Sequence, residues 1–585
     1  MAAGRGRVMG GGRAPSPTFA PRRLDASARR IAASRARWVL WPTLAVLALY
    51  ALIYGVFAEQ LIAYPYELDQ GEGYDVWSAW LLRQGQLPYS DNEVFPYFSS
   101  NYPPVWSMLA AAVTTVTGPT LAAGRVVSAV AGLACALVVG VAAARRAARV
   151  PPPPSRGRVG EEALPPPERG RVEEAALPPP ERGRVGEGAL AGALAAGLFL
   201  ASPYVFHTTP LARVNSLALL FALIALLLAE VPTMGRMGLC VLALLASLFT
   251  KPTAIDAAAA CVLFAIALRP WRGIGALALL LLLGGGILAA LNGATSGAFW
   301  LNGVEGNINA FELGELGKYA LNFAAIHAPL LVLAGSEAYA GLRRRAWSPW
   351  VIAFPLAALV GLGVGKWGAG ESYLLGLIAV SSVLAGARIA RALRPATSDG
   401  GAWATGEADR SASALSTGGR PPAVPPARRA PAGGLCALGA GLLLQMLLFA
   451  HGPLTHVVAP LRDLGRQADF LGRIPSQEER AALVGIAELM RRSDGPVLSE
   501  APSLALAAGK PIVGNATHLR NLYASGLWDP AALVGDVRAH RFAVIVLNAQ
   551  LYPAPVLEAI GHSYYQADVV QVGASTYQVF LPGGA

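Results

Sequence analysis

Apolar runs recur along this chain at a length that suits a bilayer better than a water-soluble core. They cover residues 38–58, 126–144, 189–208, 214–229, 237–250, 253–268, 274–291, 319–342, 350–364, 373–387 and 433–450. A helix needs about 20 apolar residues to cross ~30 Å of hydrocarbon. The longer runs meet that length, and the short pair 237–250 and 253–268 also reads as re-entrant. Composition agrees: of 585 residues, 54% are hydrophobic and only 14% charged, a balance that excludes an ordinary soluble domain. The expected fold class is therefore an all-α polytopic membrane protein of about eleven transmembrane helices. A small C-terminal α/β domain outside the membrane completes it.

The formal charge of +11 is no nucleic-acid signature, because the basic residues cluster at the ends of the apolar runs. Arg145-Arg146, Arg236, Arg269 with Arg272, Arg343-Arg344-Arg345, Arg388 with Arg391, and Arg428-Arg429 all fall on the side of the basic N-terminus. The opposite side carries the acidic stretches 67–93 and 305–315. Positive-inside then expects a cytoplasmic N-terminus and an external acidic loop, as in a bacterial inner membrane. The first run is too long for a signal-peptide core and lacks a clear small-residue cleavage site, so a retained first helix is expected.

Domain boundaries follow composition. Residues 1–37 read as a disordered basic cytoplasmic arm and 38–390 as the transmembrane domain. Within that domain, 150–188 is a Pro-rich insertion in which a unit beginning Arg-Gly-Arg-Val recurs at Arg156, Arg169 and Arg182. Its period is too short, and too rich in Pro and charge, for a solenoid. Residues 391–432 read as a flexible cytoplasmic linker, 433–452 as the last transmembrane helix and 453–585 as the external domain. There, 477–492 has a helical pattern, and 496–499, 512–513, 542–547 and 569–581 are strand-like.

The most unusual loop follows the first apolar run. Over residues 59–102 the chain leaves the membrane, with four carboxylates, Glu67, Asp69, Glu72 and Asp75, inside nine residues. Charges so close to a bilayer are costly and mark function. A hydrated loop is the plainer reading for Glu67, Asp75 and Asp91. Asp69 and Glu72 are the candidates for chemistry, since a spacing of three puts them on one face of any helix formed there. Trp77, Trp80 and Leu81 then suggest a short amphipathic helix in the headgroup layer.

The order Asp69-Gln70-Gly71-Glu72-Gly73, then Gly85, Leu87-Pro88-Tyr89, Tyr102-Pro103-Pro104, Gly118 and Arg125 resembles the first external loop of GT-C glycosyltransferases. The protein mannosyltransferase and aminoarabinose transferase type is the nearest in pattern, and the resemblance spans residues 38–390. It implies that the loop carries the carboxylate acting on the acceptor, with Glu72 ranked above Asp69 because Gly71 and Gly73 flank it. It also implies a polyprenyl-phosphate-linked sugar as donor, since nucleotide sugars are absent outside the cytoplasm. The acceptor, whether glycan, lipid or protein, is left open.

Three further stretches bear on that chemistry. Gly365-Lys366-Trp367-Gly368-Ala369-Gly370-Glu371-Ser372-Tyr373 sits at the outer end of a run and resembles the late loop that cradles the lipid phosphate. A lysine there defies the positive-inside trend unless something anionic binds. Arg213, with Arg125, is a further candidate for donor phosphate, although a salt bridge from Arg213 to the acidic loop fits equally. Two residues after Arg213, where the family often has an acid, stands Asn215, which speaks against a metal-dependent mechanism. Lys251 is either a second phosphate contact or a turn residue. Tyr89, Glu305, Asn307 and Tyr373 are candidates for a substrate loop.

No cofactor is expected, and a divalent metal has no support: the cysteines lie in apolar runs and the histidines lack ligand spacing. A transporter or lipid flippase is the rival class, and a catalytically inactive GT-C relative a third reading. No internal repeat of the transporter kind is visible.

Overall fold

The computed structural model describes residues 24–148, 182–393, 432–450, 476–573 and 575–583. Most of the Pro-rich insertion, the linker over 394–431 and the stretch 451–475 lie outside the described residues. The membrane portion is built of α1 (Leu24–Ala63), α2 (Gly71–Arg83), α3 (Val105–Thr117), α4 (Leu121–Ala148), α5 (Arg182–Ala201), α6 (Pro203–Thr208), α7 (Asn215–Ala229) and α8 (Met234–Leu248). It continues through α9 (Ile255–Leu268), α10 (Pro270–Ala294), α11 (Ala298–Gly303), α12 (Leu313–Arg343), α13 (Pro349–Gly361), α14 (Leu375–Ala392) and α15 (Ala432–Ala450).

Every apolar run of the sequence contains a helix, but the helices differ in reach. Among the described residues, five are long and apolar enough to cross a membrane: Leu40–Ala63, Leu121–Ala148, Pro270–Ala294, Leu313–Arg343 and Glu371–Ala392. Helices α7, α8 and α9 have only 14 or 15 residues. At 1.5 Å per residue they rise about 21–23 Å, short of the hydrocarbon thickness. Eleven full spans are thus not what the helix lengths describe. Three boundaries also move, the first being α5, which begins at Arg182 inside the expected insertion. Helix α1 begins at Leu24, inside the stretch expected to be disordered. The run 189–208 breaks at Ser202, whose backbone is extended ahead of Pro203 (φ −62°, ψ 126°), as the residue before a proline prefers.

Small residues set the central packing. Helices α4, α5 and α14 pack on one another, and α4 meets α5 with Gly140 facing Gly192. A Cβ at Gly140 would lie 3.1 Å from the Gly192 carbonyl oxygen, so backbone touches backbone there. At the end of this bundle remote from the acidic loop, Glu337 of α12 accepts from Arg146 of α4 (2.9 Å) and pairs with Arg391 of α14. That buried knot fixes three helices together.

The C-terminal domain is α/β, as its pattern suggested. It comprises α16 (Gln477–Arg492), β1 (Val497–Ser499), α17 (Pro502–Ala507), α18 (Ala516–Ala524), α19 (Ala531–Arg538), β2 (Val544–Leu547), α20 (Ala554–Ser563), β3 (Tyr564–Val572) and β4 (Ser575–Pro582). Sheet order is β1-β2-β4-β3, with β1 and β2 parallel and the rest antiparallel. Strands β1 and β2 are buried along their whole length, matching sequence that is apolar throughout β2 and, but for Ser499, in β1. The stretch 569–581, expected as one strand, folds back as a hairpin at Gly573 (φ 58°), while 512–513 forms no strand.

The domain sits directly on the acidic loop. Glu67 accepts from the backbone N–H of Ser503 (3.0 Å), and the Ser503 hydroxyl accepts from the Glu67 N–H (3.2 Å). Gln70 donates to the Glu500 carbonyl (3.0 Å) and accepts from the Thr517 hydroxyl (2.9 Å). Glu500 itself is buried and accepts from the N–H groups of Asn548, Ala549 and Gln550 (2.8–2.9 Å), gathering the loop after β2. Acidic loop and C-terminal domain therefore share one face of the molecule.

Candidate active site

Helix α2 is packed on protein rather than lying free on a surface. It is wedged between α3, α4 and α17, and Glu72, Tyr74, Asp75 and Val76 are buried within it. Glu72 is wholly enclosed. Its Oε1 takes hydrogen bonds from Arg125 Nε (2.7 Å) and the Ala212 N–H (2.8 Å). Its Oε2 takes them from Arg125 Nη2 (2.8 Å) and the N–H groups of Leu68 (2.9 Å) and Asp69 (3.3 Å). Burial alone would raise this carboxyl, but Arg125 and the amides overcome it and hold its pKa below the ordinary value. Arg125 spends its remaining donors on the carbonyls of Leu61, Tyr64 and Tyr66. Neither group has a face left for substrate, so Glu72 and Arg125 form a structural joint between α1, α2 and α4. The sequence preference for Glu72 as base, and for Arg125 as a phosphate contact, gives way for that reason.

Of the four clustered carboxylates, Asp69 is the one left partly exposed. It precedes α2 rather than sharing a helical face with Glu72, and its Oδ1 accepts from the Gly71 N–H (2.9 Å). Its side chain is 44% exposed, and Arg213 Nε lies 3.2 Å from the same oxygen. Arg213 also donates to Asp75 Oδ2 (2.9 Å) and sits over the Tyr102 ring. Burial disfavours the Arg213 charge, but Asp75 and Asp69 outweigh it and raise its pKa. This guanidinium runs across Gly71, where a Cβ would stand 1.6 Å from Nη1. Only glycine allows that crossing. Asp75, expected to be hydrated, is buried, and burial pushes its pKa up to about 7 against the pull of Arg213. Glu67 is likewise buried, and its pKa is raised well above the ordinary range.

Beside this pair lies a second set of cations. Lys251, in the turn between α8 and α9, is buried and donates to Asn215 Oδ1 (2.8 Å) and to Ser372 Oγ (3.0 Å). The Tyr373 ring lies under its ammonium at 4.8 Å. Among the described residues no carboxylate comes within ion-pair distance of it. Burial, then the nearby positive charges of Arg213 and Lys366, depress its pKa to about 7. Lys366 is half-buried on the strap that pairs with Phe311, and burial lowers its pKa too. Asn215, Ser372 and Tyr373 thus join the site as partners of Lys251, the residue whose role the sequence left open.

The remaining candidates hold loops rather than face this cluster. Tyr89 donates to the Tyr102 carbonyl (2.8 Å) and packs edge-on against Phe299. Glu305 accepts from Trp300 Nε1 (2.9 Å) at the surface. Asn307 donates to the carbonyls of Asn101 (2.7 Å) and Gly303 (3.0 Å). No three His, Cys, Asp or Glu side chains gather into a metal-holding group among the described residues.

No protein-family model matches the chain, and no curated protein matches it by sequence. Solved structures do. The crystal structure of ArnT from Cupriavidus metallidurans bound to undecaprenyl phosphate superposes with a TM-score of 0.52 at 14% identity, covering 91% of this chain and 97% of that one. Its apo form gives the same score over 93% and 98%. ArnT is an aminoarabinose transferase of the GT-C fold. This chain has the GT-C fold. An archaeal oligosaccharyltransferase, AglB from Archaeoglobus fulgidus, also matches, with a TM-score of 0.44 and 10% identity over 92% of this chain and 74% of that one. Within the GT-C frame of this chain, the acidic loop, the Lys251 turn and the Lys366 strap meet at one end of the helical bundle.

Proposed function

We propose that this chain is a membrane glycosyltransferase that moves a sugar from a polyprenyl-phosphate-linked donor to an acceptor hydroxyl or amine. The active face is the one bearing the acidic loop, read as external from the distribution of arginines. The observation that carries the proposal is Lys251. A buried ammonium held only by neutral oxygens and a ring is short of a counter-ion, and a phosphate supplies one. Lys366 stands beside it and Arg213 closes the third side. Support from the fold comes through ArnT, whose crystal structure holds undecaprenyl phosphate.

In this reading Asp69, the half-exposed carboxylate, takes the proton from the acceptor as its oxygen or nitrogen bonds to the anomeric carbon. The bond from that carbon to the phosphate oxygen breaks, and its electron pair leaves with the lipid phosphate. Lys251 and Lys366 stabilise the charge that develops there. Arg213, clamped by Asp75, holds Asp69 in place. The test is incubation of the purified protein, reconstituted in lipid, with a panel of polyprenyl-phosphate sugars and acceptors, scoring release of free lipid phosphate. Release that depends on Asp69 and Lys251 is the expected result. No release with any donor overturns the reading.

A further inference from the structure

A polar cavity lies at the other end of helices that start beside Lys251. Helix α7 starts at Asn215, the partner of Lys251, and runs 15 residues to Ala229. That places its far end about 22 Å from the candidate active site. Helix α9 likewise starts just after Lys251 and ends at Leu268. Between the α7–α8 turn and the α9–α10 turn is a cavity of about 360 Å³, lined by Glu230, Pro232, Thr233, Leu268, Arg269 and Arg272. It therefore lies at the end of these helices away from the acidic loop, the side that the arginines mark as cytoplasmic.

The lining is cationic where it is unspent. Arg272 Nη1 donates to the Pro232 carbonyl (2.9 Å), which anchors its guanidinium in the wall. Arg269 is exposed, and among the described residues its guanidinium has no partner. Glu230 is engaged elsewhere, its Oε1 accepting from Trp350 Nε1 of α13 (2.8 Å). Leu268 of the lining is about half exposed, and beside the two arginines in the chain Trp271 is 84% exposed and Ile274 about half exposed. An unpartnered guanidinium beside a second one fits a phosphodiester, and a Trp-flanked apolar rim fits acyl chains at the membrane interface.

We infer that this cavity binds the headgroup of an anionic phospholipid in the leaflet opposite the active face. The lipid bridges the two turns and braces α10, whose only buried residues are Gly273, Ala276 and Leu280. Phosphate chemistry is shared with free phosphate, and the apolar rim favours the lipid.

The full chain, purified in detergent, is titrated separately with phosphatidylglycerol, phosphatidylcholine and inorganic phosphate. Retained lipid is read by native mass spectrometry and stability by melting temperature. Phosphatidylglycerol is expected to be retained and to raise the melting temperature saturably, with no such effect from the other two. Arg269→Ala, at an exposed position that folding does not depend on, should weaken retention about fivefold, and Arg269→Ala with Arg272→Ala about thirtyfold. Arg344→Ala, a basic residue elsewhere on the molecule, should change nothing. Equal retention by the double variant and the parent, equal retention of phosphatidylcholine, or a saturable shift with inorganic phosphate alone would each overturn the lipid assignment.

Discussion

Glu72 Oε1 and Arg125 Nε lie 2.7 Å apart, and neither side chain has any exposed surface. The pair joins the first turn of α2 to α4, with Arg125 also gathering three carbonyls at the end of α1. Removing one partner of such a pair leaves a buried charge unmatched, at about 3–5 kcal/mol. Glu72→Gln is therefore expected to lower folded yield and melting temperature sharply. Glu72→Gln combined with Arg125→Met should recover much of that stability, because no charge is then stranded. Thermal unfolding in detergent distinguishes this from a purely catalytic defect, which would leave the melting temperature in place.

Asp69→Asn should behave in the opposite way. The side chain is partly exposed and its amide isostere still accepts from the Gly71 N–H, so folding is expected to hold. Sugar transfer should fall roughly 10²–10⁴-fold, the usual contribution of a general base. Retention of full activity by Asp69→Asn, measured as lipid phosphate release, would remove Asp69 from the mechanism.

These two carboxylates show where the sequence stops being informative. Local pattern placed both on one loop and favoured Glu72 for its flanking glycines, which is the wrong order for this fold. What separates them is distant in the chain: Arg125, 53 residues on, and the Ala212 amide, 140 residues on, both close on Glu72. The same holds for Asp75 and Glu67, whose burial depends on Arg213 and on Ser503 of the C-terminal domain. By contrast, each apolar run read from hydropathy contains a helix, because apolar length is a local property, although α3 is not among those runs. The resemblance in the acidic loop carried the GT-C fold correctly. It did not carry the number of full spans, since α7 to α9 are too short to count by length alone.

Gly71 provides a steric test of how Arg213 is held. With Nη1 lying 1.6 Å from the position of a Cβ, Gly71→Ala must push the guanidinium off the loop. Both its contacts, to Asp69 and to Asp75, are then disturbed. Activity should fall by at least tenfold, with a smaller loss of stability than Glu72→Gln. Equal loss in both measurements would mean that Gly71 serves the backbone of α2 rather than the placement of Arg213.

The Pro-rich insertion should be removable, with one restriction that the structure adds. Helix α5 begins at Arg182, so a deletion reaching Gly188 would cut two turns from a helix that packs against α4 and α14. Deleting residues 151–181 with a short Gly/Ser join is expected to leave melting temperature and transfer activity near those of the parent. Such a Pro-rich, charged stretch buries little apolar surface. Extending the deletion to residue 188 should destabilise the protein measurably. Loss of activity from the shorter deletion, in protein that still melts normally, would instead assign the repeat a docking role.

Lys251 and Asp75 are expected to make stability depend on pH near neutrality and, through Lys251, the proposed donor binding as well. Lys251 has its pKa lowered to about 7 in the fold. Between about pH 7 and the ordinary lysine value the unfolded chain holds a proton that the folded one lacks. Its contribution to stability is therefore present at high pH and lost as pH falls through 7. Asp75, raised to about 7, works in the other direction. The folded chain holds a proton there that the unfolded one releases above about pH 4, so its contribution is lost as pH rises to 7. Without donor, the two together place a minimum of stability near pH 7. A lipid phosphate needs Lys251 charged, so binding above pH 7 must take up a proton. The donor KM is then expected to rise by up to about tenfold per unit above pH 7. Lys251→Arg, whose charge does not titrate in this range, should flatten that profile even if its KM is higher throughout. Binding heats measured in buffers of different ionisation enthalpy should report the proton taken up by the parent and none by the variant. A pH-independent KM in the parent would mean that Lys251 does not meet the phosphate.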